Sequence, residues 1–329
     1  MQKPLFAGAL LLVVAGLGAH AQSPAPSQSQ KWPDRPIRWI VPYPAGGGTD
    51  VVARAVADQL SQSLHQPVIV DNRPGGNTII GTATVAQAAP DGSTIGLITD
   101  AFAANVALSR QMPYDSERDF VPIVQLTRVP FVLIVNPKLV PMRTLPEMIS
   151  YAKANPGWLT AATLGPGSPH ETAMTWFKSM TGIDMLIVPY RGGNLAMTDL
   201  IGGQVKAMMS GAPAAEQIIK SGNAFPIAMA SAARLKGMPD VPTFAEQGYP
   251  EFTFASWFGV VAPSKLPAEL QQRLNAEINR ALETKSVRDR IVTAGGEVIG
   301  GPPERLNETI RESIERYRKI LALTGSKPN

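Results

Sequence analysis

A chain of 329 residues, 44% of them hydrophobic, is long enough for two domains of ordinary size, each with a full core. Cysteine is absent, which excludes disulfide scaffolding and thiolate chemistry. A net charge of +4 with no dense Lys/Arg run makes no case for nucleic acid as a partner.

Lys3 gives a short positive start, the apolar run Leu5–Leu17 is too short and too poorly flanked for a spanning helix, and Ala19-His20-Ala21 is a small-x-small cleavage pattern. The reading is a signal peptide over residues 1–21, cut between Ala21 and Gln22; the bland alternative is a retained N-terminal anchor. Residues 22–31, rich in Ser, Pro and Gln, read as a flexible leader. No cysteine follows the cut to carry a lipid, and no later apolar run is long enough to cross a membrane. The expected location is the periplasm.

Trp39–Val41 ends a short apolar strand, after which Pro42 and Pro44 forbid further ladder pairing and Gly46-Gly47-Gly48 permits a sharp turn. Thr49 and Asp50 are capping residue types, and Val52, Val56, Leu60 and Leu64 repeat along one helical face. A helix start of this kind offers free N–H groups to a carboxylate or other anion, and no phosphate-loop Lys-Ser/Thr pair follows the glycines. A strand at Pro67–Val70 empties into Asp71–Asn77, and a small-residue helix is expected over Thr78–Ala89. Ser93–Thr99 is a third strand, ending at Asp100, with Asn105 on a loop or helix start. Val121–Val135 reads as an extended region broken at Arg128-Val129-Pro130, and Thr144 with Pro146 introduces a helix over Leu145–Asn155.

The middle of the chain repeats the pattern. A strand at Leu159–Thr163 precedes Gly165–His170 and a helix over Glu171–Met180; a strand at Met185–Val188 precedes Pro189–Asn194 and a helix ending near Gly202. Ala207–Ser210 and Pro226–Ser231 are further short strands. Glycine turns after Val41, Val70, Thr163 and Val188 each feed a helix, and in an open parallel sheet such turns gather at the carboxyl ends of the strands, where ligands sit. Ser256–Val261 is a strand, and Pro267–Glu283 and Pro303–Leu323 are long amphipathic helices of a kind that covers a sheet and seldom binds ligand. Segments near Pro122–Leu133 and Phe252–Val261 then make two crossings between lobes, the plan of a hinge-closing binding protein.

The strings WPDRPIRWIVPYPAGGGTDVVAR, VIVDNRPGGNTIIGT, APDGSTIGL, VPYRGGNLAMTDLIGGQV and SWFGVVAP resemble the extracytoplasmic solute receptors of tripartite tricarboxylate transporters, the Bug or TctC-like family, from about Lys31 to Lys327. The resemblance implies a type II periplasmic binding protein fold: two α/β lobes with a hinge and a central ligand cleft. The lobes are expected at residues 32–125 with 252–329, and at 126–251. It also implies capture of a small organic acid, a di- or tricarboxylate or an aromatic carboxylate, and delivery to a membrane permease. Presentation of the same solute to a membrane sensor kinase is the competing use. No cofactor and no metal are implied.

Carried onto this chain, the carboxylate would be held at Tyr43–Asp50 and Gly75–Asn77, with the opposite lobe contributing Gly167–His170, Tyr190–Gly193 and Ser210. The candidate ligand-binding set is Tyr43, Gly47, Gly48, Thr49, Asp50, Gly76, Asn77, Ser168, His170, Tyr190, Arg191, Gly192 and Ser210. Each has a plainer reading. Tyr43 could pack over the turn, Thr49 could be only a cap, and Asp50 could anchor the loop, since a carboxylate repels an anion. Ser168 is an N-cap candidate either way, Arg191 either pairs a carboxylate or stays solvated, and Trp257 reads as hinge packing.

The chain departs from the family's pattern in two places. His170 stands one position before the place where many members have a histidine, here occupied by Glu171. Ser210-Gly211 replaces a common Phe-Asp pair, which disfavours an amino-acid ligand whose ammonium needs a partner. Catalysis is not expected: His65 and His170 lie far apart without metal-ligand spacing, and Ser168, followed by Pro169, is not in a nucleophile elbow.

Overall fold

The computed structural model describes residues 32–108, 111–165, 168–294 and 296–324. The proposed signal peptide and leader, and Gly167 of the candidate site, lie outside the described residues. Strands and helices alternate as β1 (Ile37–Val41), α1 (Gly48–Leu64), β2 (Val68–Asn72), α2 (Ile79–Ala86), β3 (Thr94–Thr99), α3 (Asp100–Ala107) and β4 (Phe120–Val135). Then come α4 (Leu145–Ala154), β5 (Leu159–Thr163), α5 (Pro169–Thr181), β6 (Met185–Pro189), α6 (Gly193–Gly202), β7 (Ala207–Gly211), α7 (Ala212–Lys220) and β8 (Phe225–Met229). The chain finishes with β9 (Ala255–Pro263), α8 (Ala268–Glu283), α9 (Lys285–Thr293), the two-residue β10 (Glu297–Val298) and α10 (Pro303–Thr324).

The strands form one path, β2-β1-β3-β9-β4-β7-β5-β6, with β8 and β10 also on β4. Its directions make the cleft. β1, β2 and β3 are parallel, and β9 is antiparallel to both β3 and β4, so β4 runs the same way as β1–β3. β5, β6 and β7 are parallel to one another and β7 is antiparallel to β4. Because the first half of β4 pairs with β9 and its second half with β7 and β8, the carboxyl ends of the two strand sets point at each other. The level of the first set is marked by Thr99, opposite Phe258, itself opposite Thr127; the level of the second by Gly211, opposite Phe131. Thr127 and Phe131 are four positions apart along β4, a gap of about 13 Å at roughly 3.3 Å per residue. The mixed α/β fold with two lobes expected from the sequence is thus in place.

Both faces of the first half-sheet are covered, which is why β1 is apolar apart from Arg38: Trp39 and Val41 pack with Val52, Val56 and Leu60 of α1 and with α8 and α9, while Ile40 packs on the opposite side. That opposite side holds α3 and α10, through Phe102, Leu306, Ile314 and Tyr317, the last three from the apolar face of the amphipathic final helix. Thr144 and Glu147 form a reciprocal capping box at α4, as the Thr-Pro start predicts.

Three local expectations are corrected. β4 is one strand, unbroken at Pro130: the ladder passes from β9 to β7 between Pro130 and Phe131, so a residue without an N–H fits there. α1 begins at Gly48 with Gly47 as N-cap and no side-chain cap, so Thr49 and Asp50 lie in its first turn. α2 ends at Ala86 rather than Ala89. Helices α7 and α9 were not anticipated.

Candidate functional site

The turns that follow β1 and β2 are held from behind by a buried carboxylate. Asp50 accepts from the Gly46 amide (2.9 Å), Arg54 Nε (2.9 Å) and Asn72 Nδ2 (2.9 Å). Asn72 Nδ2 also donates to the Tyr43 carbonyl (3.0 Å), and Arg54 Nη2 donates to Asn72 Oδ1 (2.9 Å). Burial opposes ionisation of Asp50, but the bonds from Arg54, Gly46 and Asn72 outweigh it and hold its carboxyl below the usual range. The structure therefore gives Asp50 the anchoring contacts of the plainer reading. The amides of Gly47 and Gly48 have no acceptor among the described residues.

In the second turn four successive residues take left-handed backbone, Gly75 (φ 126°), Gly76 (56°), Asn77 (50°) and Thr78 (77°). The run closes the turn tightly before α2, with the Ile79 and Ile80 amides donating back to the Gly76 and Gly75 carbonyls. Asn77 and Asn105 bond each other, Nδ2 to Oδ1 at 2.9 Å and Asn105 Nδ2 to the Asn77 carbonyl at 2.8 Å. That pairing fixes the turn to α3. Gly81 is needed where α2 meets both turns: a Cβ there would stand 2.7 Å from Pro42 Cβ and 2.8 Å from the Arg73 carbonyl oxygen. Tyr43, half-buried, hydrogen-bonds Thr99 Oγ1 at 2.7 Å, and burial, then the Asp100 charge, push its phenol well up, so it stays neutral.

Between the opposed strand ends lies a cavity of 390 Å³. Three helices of the second lobe open onto it at their N-termini: α5 through Pro169 and His170, α6 through Gly193 and Asn194, and α7 through Pro213 and Ala214. Its body is apolar, with Val129, Phe131, Met197, Met208 and Phe258 on the walls. The polar side chains are His170, Asn194, Ser210, Gln217 and Ser256, and no described lining residue is charged. Ser256 is already committed, its hydroxyl donating to Asp100 at 2.6 Å; Tyr317 donates to the other oxygen at 3.1 Å. Burial raises the Asp100 carboxyl despite these two bonds. The first-lobe turns border this cavity: Ala294 lines it and its carbonyl oxygen is the nearest atom to a Cβ built on Gly48, and Phe258 pairs with Thr99, the partner of Tyr43.

His170 lies against Phe131, ring centroids 4.8 Å apart, and its Nδ1 is buried without a partner among the described residues. Burial lowers its pKa from 6.5 to about 4, so the imidazole is neutral at physiological pH. Of the candidate residues the structure brings His170 and Ser210 onto the cavity wall; Ser210 is 2% exposed. Ser168 caps α5, its Oγ accepting from the Glu171 amide at 3.1 Å. Gly192 is the N-cap of α6, next to the lining pair Gly193-Asn194. Tyr190 is turned to Asp199, to which it donates at 2.8 Å, and Arg191 is exposed. Tyr43, Gly47, Gly48, Thr49, Asp50, Gly76 and Asn77 belong to the turns above and not to the cavity wall itself. Trp257 packs away from the cavity, donating to Ser313 Oγ at 2.9 Å.

Sequence reasoning missed the α7 contribution. Its signal was Gly211-Ala212-Pro213, a strand end followed by proline in the first helical turn, with no glycine cluster to mark it. Asn194 and Ser256 stood inside quoted motifs without being singled out.

Two α/β lobes joined by β4 and β9, closing on an uncharged cavity faced by helix N-termini, define a solute-binding receptor and not an enzyme. A family profile described as "Tripartite tricarboxylate transporter family receptor" (TctC) matches residues 52–325, and the chain belongs to that family. It is 38% identical over 320 residues to Protein BugT of Bordetella pertussis, covering 97% of this chain and 98% of that one. Among solved structures it is similar to "R. palustris Rpa4515 with adipate" (33% identity, TM-score 0.75, 89% of this chain and 98% of that one). It is likewise similar to "MatC (Rpa3494) from Rhodopseudomonas palustris with bound malate" (31%, TM-score 0.72, 88% and 100%).

Proposed function

We propose that this protein works in the periplasm, where it captures a small carboxylic acid between lobes 32–125 with 252–329 and 126–251, and hands it to a tripartite tricarboxylate-type permease. The observation that carries the reading is the convergence of three helix N-termini on a 390 Å³ cavity with no charged side chain on its described wall. Each helix start carries about half a positive charge. Although Pro169 and Pro213 have no N–H and Ser168 caps the Glu171 amide, the first-turn amides of His170, Asn194 and Ala214 remain to replace the hydration of a carboxylate without a counter-ion. Relatives bound to adipate and malate support the same ligand class.

The walls narrow that class. A wall without an acidic group gives an ammonium no partner, and Phe131, Met197, Met208 and Phe258 favour an aliphatic chain or aromatic ring as the body of the acid. His170 Nδ1, which has no partner among the described residues, gains one from a ligand oxygen or hydroxyl, removing a penalty of about 1–3 kcal/mol. The first-lobe turns Gly47–Thr49 and Gly76–Asn77 close the other side through their amides, and closure strengthens every bond by expelling water.

The test is a thermal-shift screen of ligand-stripped protein against aliphatic, aromatic and amino-substituted acids at matched ionic strength. A bound acid at a hundred times its dissociation constant stabilises by about 2.7 kcal/mol. The reading expects shifts with unsubstituted acids and none with their α-amino analogues; shifts confined to amino acids would overturn it.

A further inference from the structure

The two strands that cross between the lobes have a second face. Val129, Phe131, Ser256 and Phe258 look into the cleft, while the alternating residues Arg128, Ala255 and Trp257 look the other way, into a pocket of 280 Å³ closed by α10. The ladder makes this exact in register: Arg128 is opposite Trp257, and Val129 is opposite Ser256. From α10 the residues Arg305, Thr309, Glu312 and Arg316, spaced along one helical face, complete the wall.

Three guanidiniums therefore face one carboxylate, in a concave site walled by strands of the hinge. Neither Arg128 nor Arg305 nor Arg316 has an ion pair among the described residues, and Glu297, opposite Arg128 in the β10 pairing, is exposed and likewise unpaired. Arg316 lies over the Phe254 ring at 5.6 Å, and its Nη2 donates to Ser313 Oγ at 3.0 Å. Its Nε is buried with no acceptor among the described residues. Burial lowers its pKa and the nearby Arg128 charge adds to that, while Tyr317, Asp100 and Glu312 oppose it. Thr309 gives its proton to Gln125 Oε1 at 3.0 Å, fixing its hydroxyl at the pocket wall.

We propose that this pocket is a second ligand site, separate from the cleft, that takes a small tetrahedral oxyanion of the phosphate or sulfate class. A tetrahedral dianion offers acceptor oxygens in several directions at once, as three forks from two elements require; a carboxylate offers two oxygens in one plane. The anion ties Arg128 of β4 to Arg305 and Arg316 of α10, behind the strands on which the lobes pivot.

The test is calorimetric titration of the purified, ligand-stripped protein with inorganic phosphate, and separately with sulfate, against sodium chloride at equal ionic strength. Arg305→Gln is an exposed change and Arg128→Gln a partly exposed one, so both variants are expected to fold, and their melting curves are recorded alongside. Ala214→Phe fills the cleft and controls for an anion bound there. The proposal expects saturable binding in the wild type, weakened about tenfold or more in each arginine variant and unchanged in Ala214→Phe. A response no different from chloride, or one abolished by Ala214→Phe and indifferent to Arg128→Gln and Arg305→Gln, overturns it.

Discussion

Replacing Asp50 separates an anchor from a ligand group. Asp50 is 3% exposed and receives bonds from Gly46, Arg54 and Asn72, each at 2.9 Å. In Asp50→Ala, Arg54, whose side chain is 46% exposed, turns to water at little cost, and Asn72 keeps its bond to the Tyr43 carbonyl. The Gly46 amide and the second Asn72 contact are lost outright, and a charge-assisted bond is worth about 1.5–3 kcal/mol. The expected loss is about 2–3 kcal/mol; Asp50→Asn, which keeps the shape without the charge, loses about half of that. A chain of this size unfolds with an entropy of about 0.6 kcal/mol/K, so Asp50→Ala melts roughly 3–5 °C lower at pH 7.

The sign of the pH dependence follows from the depressed carboxyl. Its contribution is present above the unfolded-state value of 3.8 and is lost as pH falls through the folded value. Melting curves of the two proteins should then differ by a constant amount from pH 5 to 7 and converge in acid. Carboxylate binding weakens in the variant only as far as the loosened turn allows. An Asp50→Ala protein that melts like the wild type yet binds no acid would refute the anchoring argument.

His170 carries the opposite protonation logic. Folding holds its imidazole neutral down to about pH 4, whereas the unfolded chain takes up a proton near 6.5, so its effect on stability is nil above about 6.5 and grows unfavourable as pH falls. Its partial exposure trims the full effect to roughly 2 kcal/mol at pH 4.5, so His170→Asn should gain on the wild type by about that much between pH 7.5 and 4.5 in parallel denaturant melts; parallel curves would contradict it. Gly81→Ala adds a methyl 2.7 Å from Pro42 and 2.8 Å from the Arg73 oxygen. Overpacking against the backbone costs about 3 kcal/mol and the helical gain of alanine returns about 1, so a net loss near 2 kcal/mol is expected, with weaker carboxylate binding because both first-lobe turns shift. A Gly81→Ala protein as stable as the wild type would show that α2 can move away from those turns.

The strand-turn-helix units were legible because glycine and proline mark each end and the periods of two and nearly four sit between them. Opposed turns followed from the two expected crossings, which β4 and β9 supply. What stayed hidden rests on contacts distant in sequence. Asp50 and Asn72 are 22 positions apart, so Asp50 read as a cap when its partners lie behind the turn. Pro130 read as a break because the change of ladder partner that tolerates it depends on where β7 falls. α7 has no glycine cluster before it, only Ala212-Pro213, and its place on the cavity wall went unseen. Alternation along β9 was visible, but not which face meets the cleft and which meets the arginines of α10. Helix α10 was read as cover alone, since nothing local distinguishes Arg305 and Arg316 from solvated charges.

The central claim is that an acid sits between the opposed strand ends with its carboxylate on helix N-termini. A crystal structure of the protein with the acid that gives the largest thermal shift tests it most directly. The account predicts a carboxylate within hydrogen-bond distance of main-chain amides at the helix starts, the body of the acid against Phe131, Met208 and Phe258, and an oxygen or hydroxyl on His170 or Ser210. An acid bound outside the 390 Å³ cavity, or held there by arginine or lysine side chains alone, would contradict it.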